Sequence, residues 1–255
     1  MEKIILFDGS WEGLMTVVFD VFDYKIEAIS VDIVGNYQGG FFSTAHTVLS
    51  HPEKASRVRK GLLKKVGKQA YLDLYCSFLS ERPAAYLLVL RTIAYYFGAD
   101  GDASKNYSFD EVLQVRQLAR TVMRERHRMK AFVRFKLLKD GLYLALVEPD
   151  FNVLPLIAKH FEQRYADQRW LIYDVKRSYG IYYDLQQATE IKFEQAEKPS
   201  LGSIKLHLDE AEDKYDELWR RYFKSVNILE RKNTKLHIQH VPTRYWKYLN
   251  EKLDL

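Results

Sequence analysis

The hydrophobic period of the chain changes near Lys130, and that change fixes the class of fold available to it. From His51 to about Arg128 apolar residues recur at helical spacing, with Pro52 and Pro83 placed where first-turn prolines belong. The spacing predicts helices over 52–66, 69–80, 83–97 and 109–129. Beyond it, Phe132, Val133 and Phe135 lead through Lys139-Asp140-Gly141 to Tyr143–Val147. An Asp-Gly pair between two apolar runs is a hairpin signal. Glu148-Pro149-Asp150 ends the second run, and Asn152 opens a helix to about Tyr165 with Val153, Ile157 and Phe161 on one face. A second hairpin follows, Trp170–Tyr173 and Tyr179–Tyr183, with one more strand over Glu190–Phe193. Residues 131–195 therefore read as β-β-α-β-β around a small antiparallel sheet, and the chain as α+β.

The N-terminal part adds a short strand at Ile4–Phe7, a turn at Asp8-Gly9-Ser10, and a helix from Trp11 to about Phe22. A β-branched run, Ile26–Val34, and an extended piece, Phe41–Val48, come next. Residues 194–217 are acidic, with eight Asp/Glu against three Lys. Within them Pro199–Ser203 reads as a linker and 206–225 as a helix that runs on into a basic, aromatic tail. This divides the sequence into a mainly helical segment with short strands (1–130), the antiparallel unit (131–198) and a helical tail (199–255), packed as one chain.

The apolar run at the start, Ile4 to Phe7, is shorter than the roughly 7–15 residues of a signal-peptide core. No window approaches the roughly 18 apolar residues of a membrane span. These features predict a cytoplasmic protein that makes no use of a membrane. The single cysteine, Cys76, lies in a helical apolar pattern and is expected to be a buried structural thiol. One cysteine does not build a zinc ribbon or an iron–sulfur cluster within one chain.

Charge is distributed more unevenly than the net value of +5 suggests. Residues 54–68 hold seven Lys/Arg and no acid, 116–139 hold nine and one acid, and 219–248 hold eight and one acid. The last of these segments also carries Tyr245, Trp246 and Tyr248. Clustered Lys/Arg bind phosphate backbones, and aromatic faces stack on unpaired bases. The expected nucleic-acid contacts are Arg126, Arg128, Arg134, Lys176 and Arg177, brought to one surface if the two hairpins share a sheet, with Arg220, Arg221, Arg244 and Lys247 in the tail. Of the tail rings, Trp246 is the one expected to pack on the core.

Motifs that could carry chemistry are sparse. Gly61–Gln69 has a superficial likeness to a phosphate-binding loop but fails in spacing, in its last residue and in the strand that should precede it. Glu125 and His127 are a possible acid–base pair at a helix end. Glu148 and Asp150 follow a strand, where a carboxylate can hold a base role or cap the next helix. His160 lies mid-helix as a further candidate. His237 and His240 could share a helical face with a metal, but no third ligand is near in sequence, so no metal and no cofactor is predicted.

Seven motifs occur in order: Phe7-Asp-Gly-Ser-Trp-Glu-Gly13, Arg126-His-Arg128, Phe132-Val-Arg-Phe135, Glu148-Pro-Asp150, His160-Phe161 with Arg164, Tyr173-Asp174 with Arg177, and Arg244-Tyr-Trp-Lys247. In them the chain resembles a bacterial family of DNA-metabolism or DNA-repair proteins, a domain of unknown function, over nearly its whole length. The resemblance implies a gene beside that of a radical-SAM protein of DNA modification or repair, and kinship with domains fused to uracil-DNA-glycosylase-like domains. It implies no catalytic residue.

Three functions follow as expectations. The first is a DNA-binding accessory partner of a radical-SAM enzyme. The second is an enzyme on damaged or modified nucleic acid, using residues of the 125–160 region. The third is a structural or assembly protein whose basic surface meets an acidic protein partner.

Overall fold

The structure is a computed structural model that describes residues 2–37, 45–193, 199, 208, 238–249 and 252. Of the predicted helix 206–225 only Leu208 is described, in an antiparallel bridge with Leu138; the rest of it, with Arg220, Arg221 and His237, lies outside the described residues. The chain divides into two compact units, Met1–Met123 and Arg124–Leu255.

In the first unit, strands β1 (Glu2–Phe7), β2 (Glu27–Ile33) and β3 (Ala45–Thr47) form a parallel sheet in the order β2-β1-β3. Helix α1 (Trp11–Asp23) makes the crossover from β1 to β2, as a parallel pair requires. Ser10 caps α1 by accepting from the Gly13 amide. Asp8 fixes that turn through the Ser10 amide, the Ser10 hydroxyl and the Ser50 hydroxyl. These bonds hold the Asp8 carboxyl below its usual range against the opposing effect of burial, which is the largest single influence on it.

Helix α2 (Pro52–Phe78) runs through the two stretches expected to be separate helices. They are nevertheless distinct at Gly67, whose φ of 75° and ψ of −179° break the helical path. Helices α3 (Pro83–Gly98) and α4 (Asp110–Phe132) follow, and the division between the units falls within α4. Trp11 packs against Tyr71, Tyr75 and Phe78, and its indole donates to the Tyr71 hydroxyl at 2.8 Å. Cys76 is fully buried, as its sequence context predicts.

The second unit holds a five-stranded sheet in the order β4-β5-β6-β7-β8, from β4 (Lys136–Leu137), β5 (Tyr143–Val147), β6 (Trp170–Asp174), β7 (Tyr179–Tyr183) and β8 (Ala188–Lys192). The second hairpin forms where the sequence places it; the first forms around Asp140-Gly141, but its opening strand is only Lys136–Leu137, because α4 runs on through Phe132 and takes up the start of the apolar run expected to be strand. Gly141, with φ of 79°, makes the tight turn between β4 and β5. The α+β class stands, but the sheet is not antiparallel throughout. Strands β5 and β6 pair in parallel, because α5 (Leu154–Arg164) intervenes and carries the chain back to the starting edge. That pairing joins the two hairpins into one sheet.

Both faces of this sheet are covered, which is why β6 is buried at every position. On one face Trp170 stacks on Tyr183 and meets Phe161 of α5 and Phe135. On the other, Leu144, Leu146, Leu171 and Tyr173 form a cluster that receives Phe193, Leu208 and Tyr248. Among the described residues no helix is long and apolar enough to cross a membrane.

Gly180 tests this packing. A Cβ there would come within 2.7 Å of Leu171 and 2.9 Å of the Ile172 carbonyl oxygen, one of them backbone that has little room to move. Gly180→Ala is expected to destabilise the protein by about 1–3 kcal/mol through overpacking, read as a lower urea midpoint at unchanged slope.

Candidate functional site

The second unit brings together most of the polar residues singled out in the sequence, at the carboxyl ends of the parallel pair β5–β6. Ligands of open α/β sheets gather at such edges. Glu148-Pro149-Asp150 leaves β5 there, and Asp174 ends β6. Glu125 reaches the same place from α4 and is 2% exposed.

Glu125 Oε1 accepts the Asp150 amide at 3.0 Å and the Tyr245 hydroxyl. Its other oxygen lies 3.7 Å from both the Arg128 and the Arg244 guanidinium. Arg244 also pairs with Asp150 Oδ2 at 2.6 Å, so the Asp150 side chain is in an ion pair and does not cap α5, which starts with no side-chain cap. Glu148 accepts from Lys247 Nζ at 2.5 Å and from the Tyr248 hydroxyl at 2.7 Å. Those bonds, Lys247 first, hold the Glu148 carboxyl below its usual range. Burial and the adjoining carboxylates push the Tyr245 and Tyr248 hydroxyls well above the ordinary phenol range.

Lys176 and Arg177 occupy the β6–β7 turn, as expected, but their side chains turn onto the Glu148–Asp150 loop. Arg177 donates to the Pro149 carbonyl at 3.0 Å and the Asp150 carbonyl at 3.1 Å, and Lys176 to the latter at 3.3 Å. Arg177 also pairs at 2.8 Å with Asp174, which has no exposure and accepts the Lys176 and Arg177 amides. Burial raises the Asp174 carboxyl above its ordinary value, against the opposing pull of Arg177.

The described part of the tail includes a 3-10 turn, Thr243–Tyr248, in which residues three apart eclipse. Tyr245 and Tyr248 therefore point the same way. Tyr245 is the buried ring, at 2% exposure, lying 5.4 Å from Phe132. Trp246, expected to be the buried one, is half-buried and donates its indole N–H to the Val241 carbonyl. Tyr245 takes the inner position, where its hydroxyl meets the buried Glu125 carboxylate, and Tyr248 is half-buried like Trp246.

The remaining candidates lie elsewhere. Arg134 donates to the Ala131 and Val133 carbonyls just before it. His127 is exposed on α4. Arg126 and His160 belong to a second group that the sequence reading did not assemble: Arg126 and Lys130 of α4 with His160 and Arg164 of α5. His160 feels Lys130, Arg164 and Arg126, and its imidazole is held below its ordinary pKa by partial burial first and by these cations next. Burial and Arg126 lower Lys130 likewise. Among the described residues Lys130, His160 and Arg164 form no ion pair. The i,i+4 spacing of each pair, 126/130 and 160/164, was the available signal, but nothing in the sequence says that the two helices face each other. No group of three metal-ligating side chains occurs among the described residues.

Residues 83–251 match the family model of a domain of unknown function, DUF4130. No curated protein matches the sequence. A solved structure, the pGpG-specific phosphodiesterase PggH from Vibrio cholerae, aligns with 89% of this chain and 99% of its own at 10% identity and a TM-score of 0.33, too low to bear on fold or function.

Two outcomes follow from the ionic network. Tyr245→Phe removes a donor from the buried Glu125 carboxylate and is expected to cost about 1–3 kcal/mol in chemical denaturation. For Glu148, the lowered folded pKa means that its pairing adds stability above the unfolded value of 4.5, and this is lost as pH falls through the folded pKa. The difference in melting temperature between the wild type and Lys247→Ala is thus expected at neutral pH and should shrink on acidification below pH 4.5.

Proposed function

We propose that this chain, which belongs to the DUF4130 family, is a DNA-binding protein of DNA metabolism and acts as accessory partner to a radical-SAM repair or modification enzyme. The observation that carries the DNA-binding part is the division of its cations. Lys176, Arg177, Arg244 and Lys247 are taken up by carboxylates and carbonyls of the protein itself. Lys130, His160 and Arg164 form no ion pair among the described residues, and Lys130 and Arg164 act on His160 as like charges. Cations that no carboxylate matches, such as Lys130 and Arg164 among the described residues, favour an incoming anion, and a phosphate backbone is the anion that clustered Lys/Arg match best. The accessory role rests on the family resemblance carried by the seven ordered motifs.

On this reading α4 and α5 supply phosphate contacts, while the Glu148–Asp150 network holds the tail against the sheet. Oligonucleotide affinity measured by fluorescence anisotropy is expected to fall steeply with salt. The double variant Lys130→Ala with Arg164→Ala should flatten the slope of log K against log salt by about 1–2, since each lost phosphate contact removes ~0.7–0.9. Lys176→Ala should leave the slope unchanged. An unaltered slope in the double variant, or no binding to any oligonucleotide, would remove the basis of the proposal. Co-purification of the chain with its radical-SAM neighbour, expressed together, tests the accessory role, and two proteins that elute apart count against it.

A further inference from the structure

The first unit carries a row of cations of its own, on α2. Residues 54–68 hold seven Lys/Arg and no acid. Opposite charges four residues apart steady a surface helix, and like charges at that spacing destabilise it. Lys60 and Lys64 stand at that spacing. At 3.6 residues per turn Arg57, Lys60 and Lys64 fall within about 60° of arc, and at 1.5 Å per residue they span roughly 10 Å. All three are exposed. Among the described residues none of them forms an ion pair, whereas Lys54, at the end of the row, is matched by Asp20 at 2.7 Å. The apolar positions of the same stretch, Val58, Leu62 and Val66, are buried.

Aromatic rings from α1 and α3 flank the row. The Arg57 guanidinium lies 4.9 Å from the Phe19 ring centre, and Lys54 Nζ lies 5.4 Å from that of Phe19 and 5.8 Å from that of Tyr24. One turn along, Gly61 lets Phe97 close onto α2: a Cβ there would stand 3.2 Å from the Phe97 ring. Phe22 meets that ring edge to face at 5.8 Å. Gly61 is four residues beyond Arg57 and three before Lys64, so the Phe97–Phe22 pair sits beside the row, between its ends. Phe22 and Tyr24 are 46% and 62% exposed. Rings open to water beside unmatched cations are the two components of a surface for unpaired nucleic acid: the cations track the phosphates and the ring faces stack on bases. A duplex offers phosphates but keeps its bases stacked on one another. A helix that lies in a membrane surface needs a free apolar face, and that of α2 is already buried. Asp20 and Asp23 both act on Lys54, so the phosphates belong to the part of the row from Arg57 to Lys64.

We propose that Arg57, Lys60 and Lys64 bind successive phosphates of a single-stranded nucleic acid and that Tyr24 and Phe22 stack on its bases. This rests on the DNA-binding reading and adds to it a contact surface in the first unit, with a preference for unpaired strands.

Fluorescence anisotropy over a salt series compares an oligothymidylate with a hairpin duplex of equal phosphate count, each against the full chain. The single strand is expected to bind at least about fivefold more tightly, the scale of one stacked base. Lys60→Gln combined with Lys64→Gln should flatten its slope of log K against log salt by about 1–1.5, at ~0.7 per lost phosphate contact. Tyr24→Leu keeps the apolar bulk and loses the flat face. It should weaken single-strand binding at least about fivefold and leave duplex binding unchanged, while Tyr24→Phe binds as the wild type does. All these positions are exposed or half-exposed at the surface, so the melting temperatures of the variants should stay close to that of the wild type. An unchanged slope in the Gln variant, with oligonucleotides still bound, overturns the α2 surface and leaves the DNA-binding reading standing. Equal affinity for single strand and duplex, or a Tyr24→Leu loss shared by both, overturns the preference for unpaired strands. Failure of both oligonucleotides to bind overturns both readings. Sedimentation with phosphatidylserine–phosphatidylcholine vesicles that is lost in the Gln variant, while neither oligonucleotide binds, overturns the proposal in favour of a membrane surface.

Discussion

Glu125 lies on α4 with 2% exposure. A carboxylate removed from water has to be met by donors or it costs several kcal/mol. The second unit is arranged to meet it. The Asp150 amide and the Tyr245 hydroxyl bond one oxygen, and two guanidinium groups stand by the other. The four groups come from three stretches of chain: α4 itself, the loop after β5, and the 3-10 turn that carries both Arg244 and Tyr245. Satisfying one buried group therefore ties the helix, the sheet edge and the tail together. Arg244 extends the network to Asp150, and Lys247 and Tyr248 repeat the pattern at Glu148.

This network changes how the basic residues of the chain are read. Charge counting along the sequence treats all Lys and Arg as equivalent, yet the structure sorts them. Arg177 and Lys176 are spent inward, holding the backbone carbonyls of Pro149 and Asp150 in place. Arg244 and Lys247 balance carboxylates. On α4 and α5, Lys130 and His160 are held below their ordinary pKa values by burial first and by neighbouring cations next. Within the unit, α4 contributes Glu125 to this network.

The sheet makes the arrangement possible. Its central pair is parallel, so the loop after β5 and the turn after β6 emerge at the same edge. An antiparallel pair would have sent Glu148 and Asp174 to opposite ends. Covering both faces, with α5 on one side and Tyr248 and Leu208 among the side chains on the other, also explains why the tail rings pack rather than stand free. Tyr245 takes the inner position, where its hydroxyl meets Glu125, while Trp246 and Tyr248 are half-buried.

By itself the sequence determined the elements. The change of period at Lys130, the Asp140-Gly141 turn, the break at Gly67 and the two prolines that open helices are local signals, written in neighbouring residues, and the structure places elements accordingly. The motifs Glu148-Pro149-Asp150 and Arg244-Tyr-Trp-Lys247 were visible too, but as separate strings. Their union was decided by tertiary structure alone: the parallel register of β5 and β6, the burial of Tyr245 in place of Trp246, and the meeting of Glu125 with residues 25 and 120 positions away. Side-chain periodicity tells which face of an element seeks burial. It carries no address for the partner, and that address is set when the buried charge of Glu125 and the two apolar faces of the sheet are satisfied together.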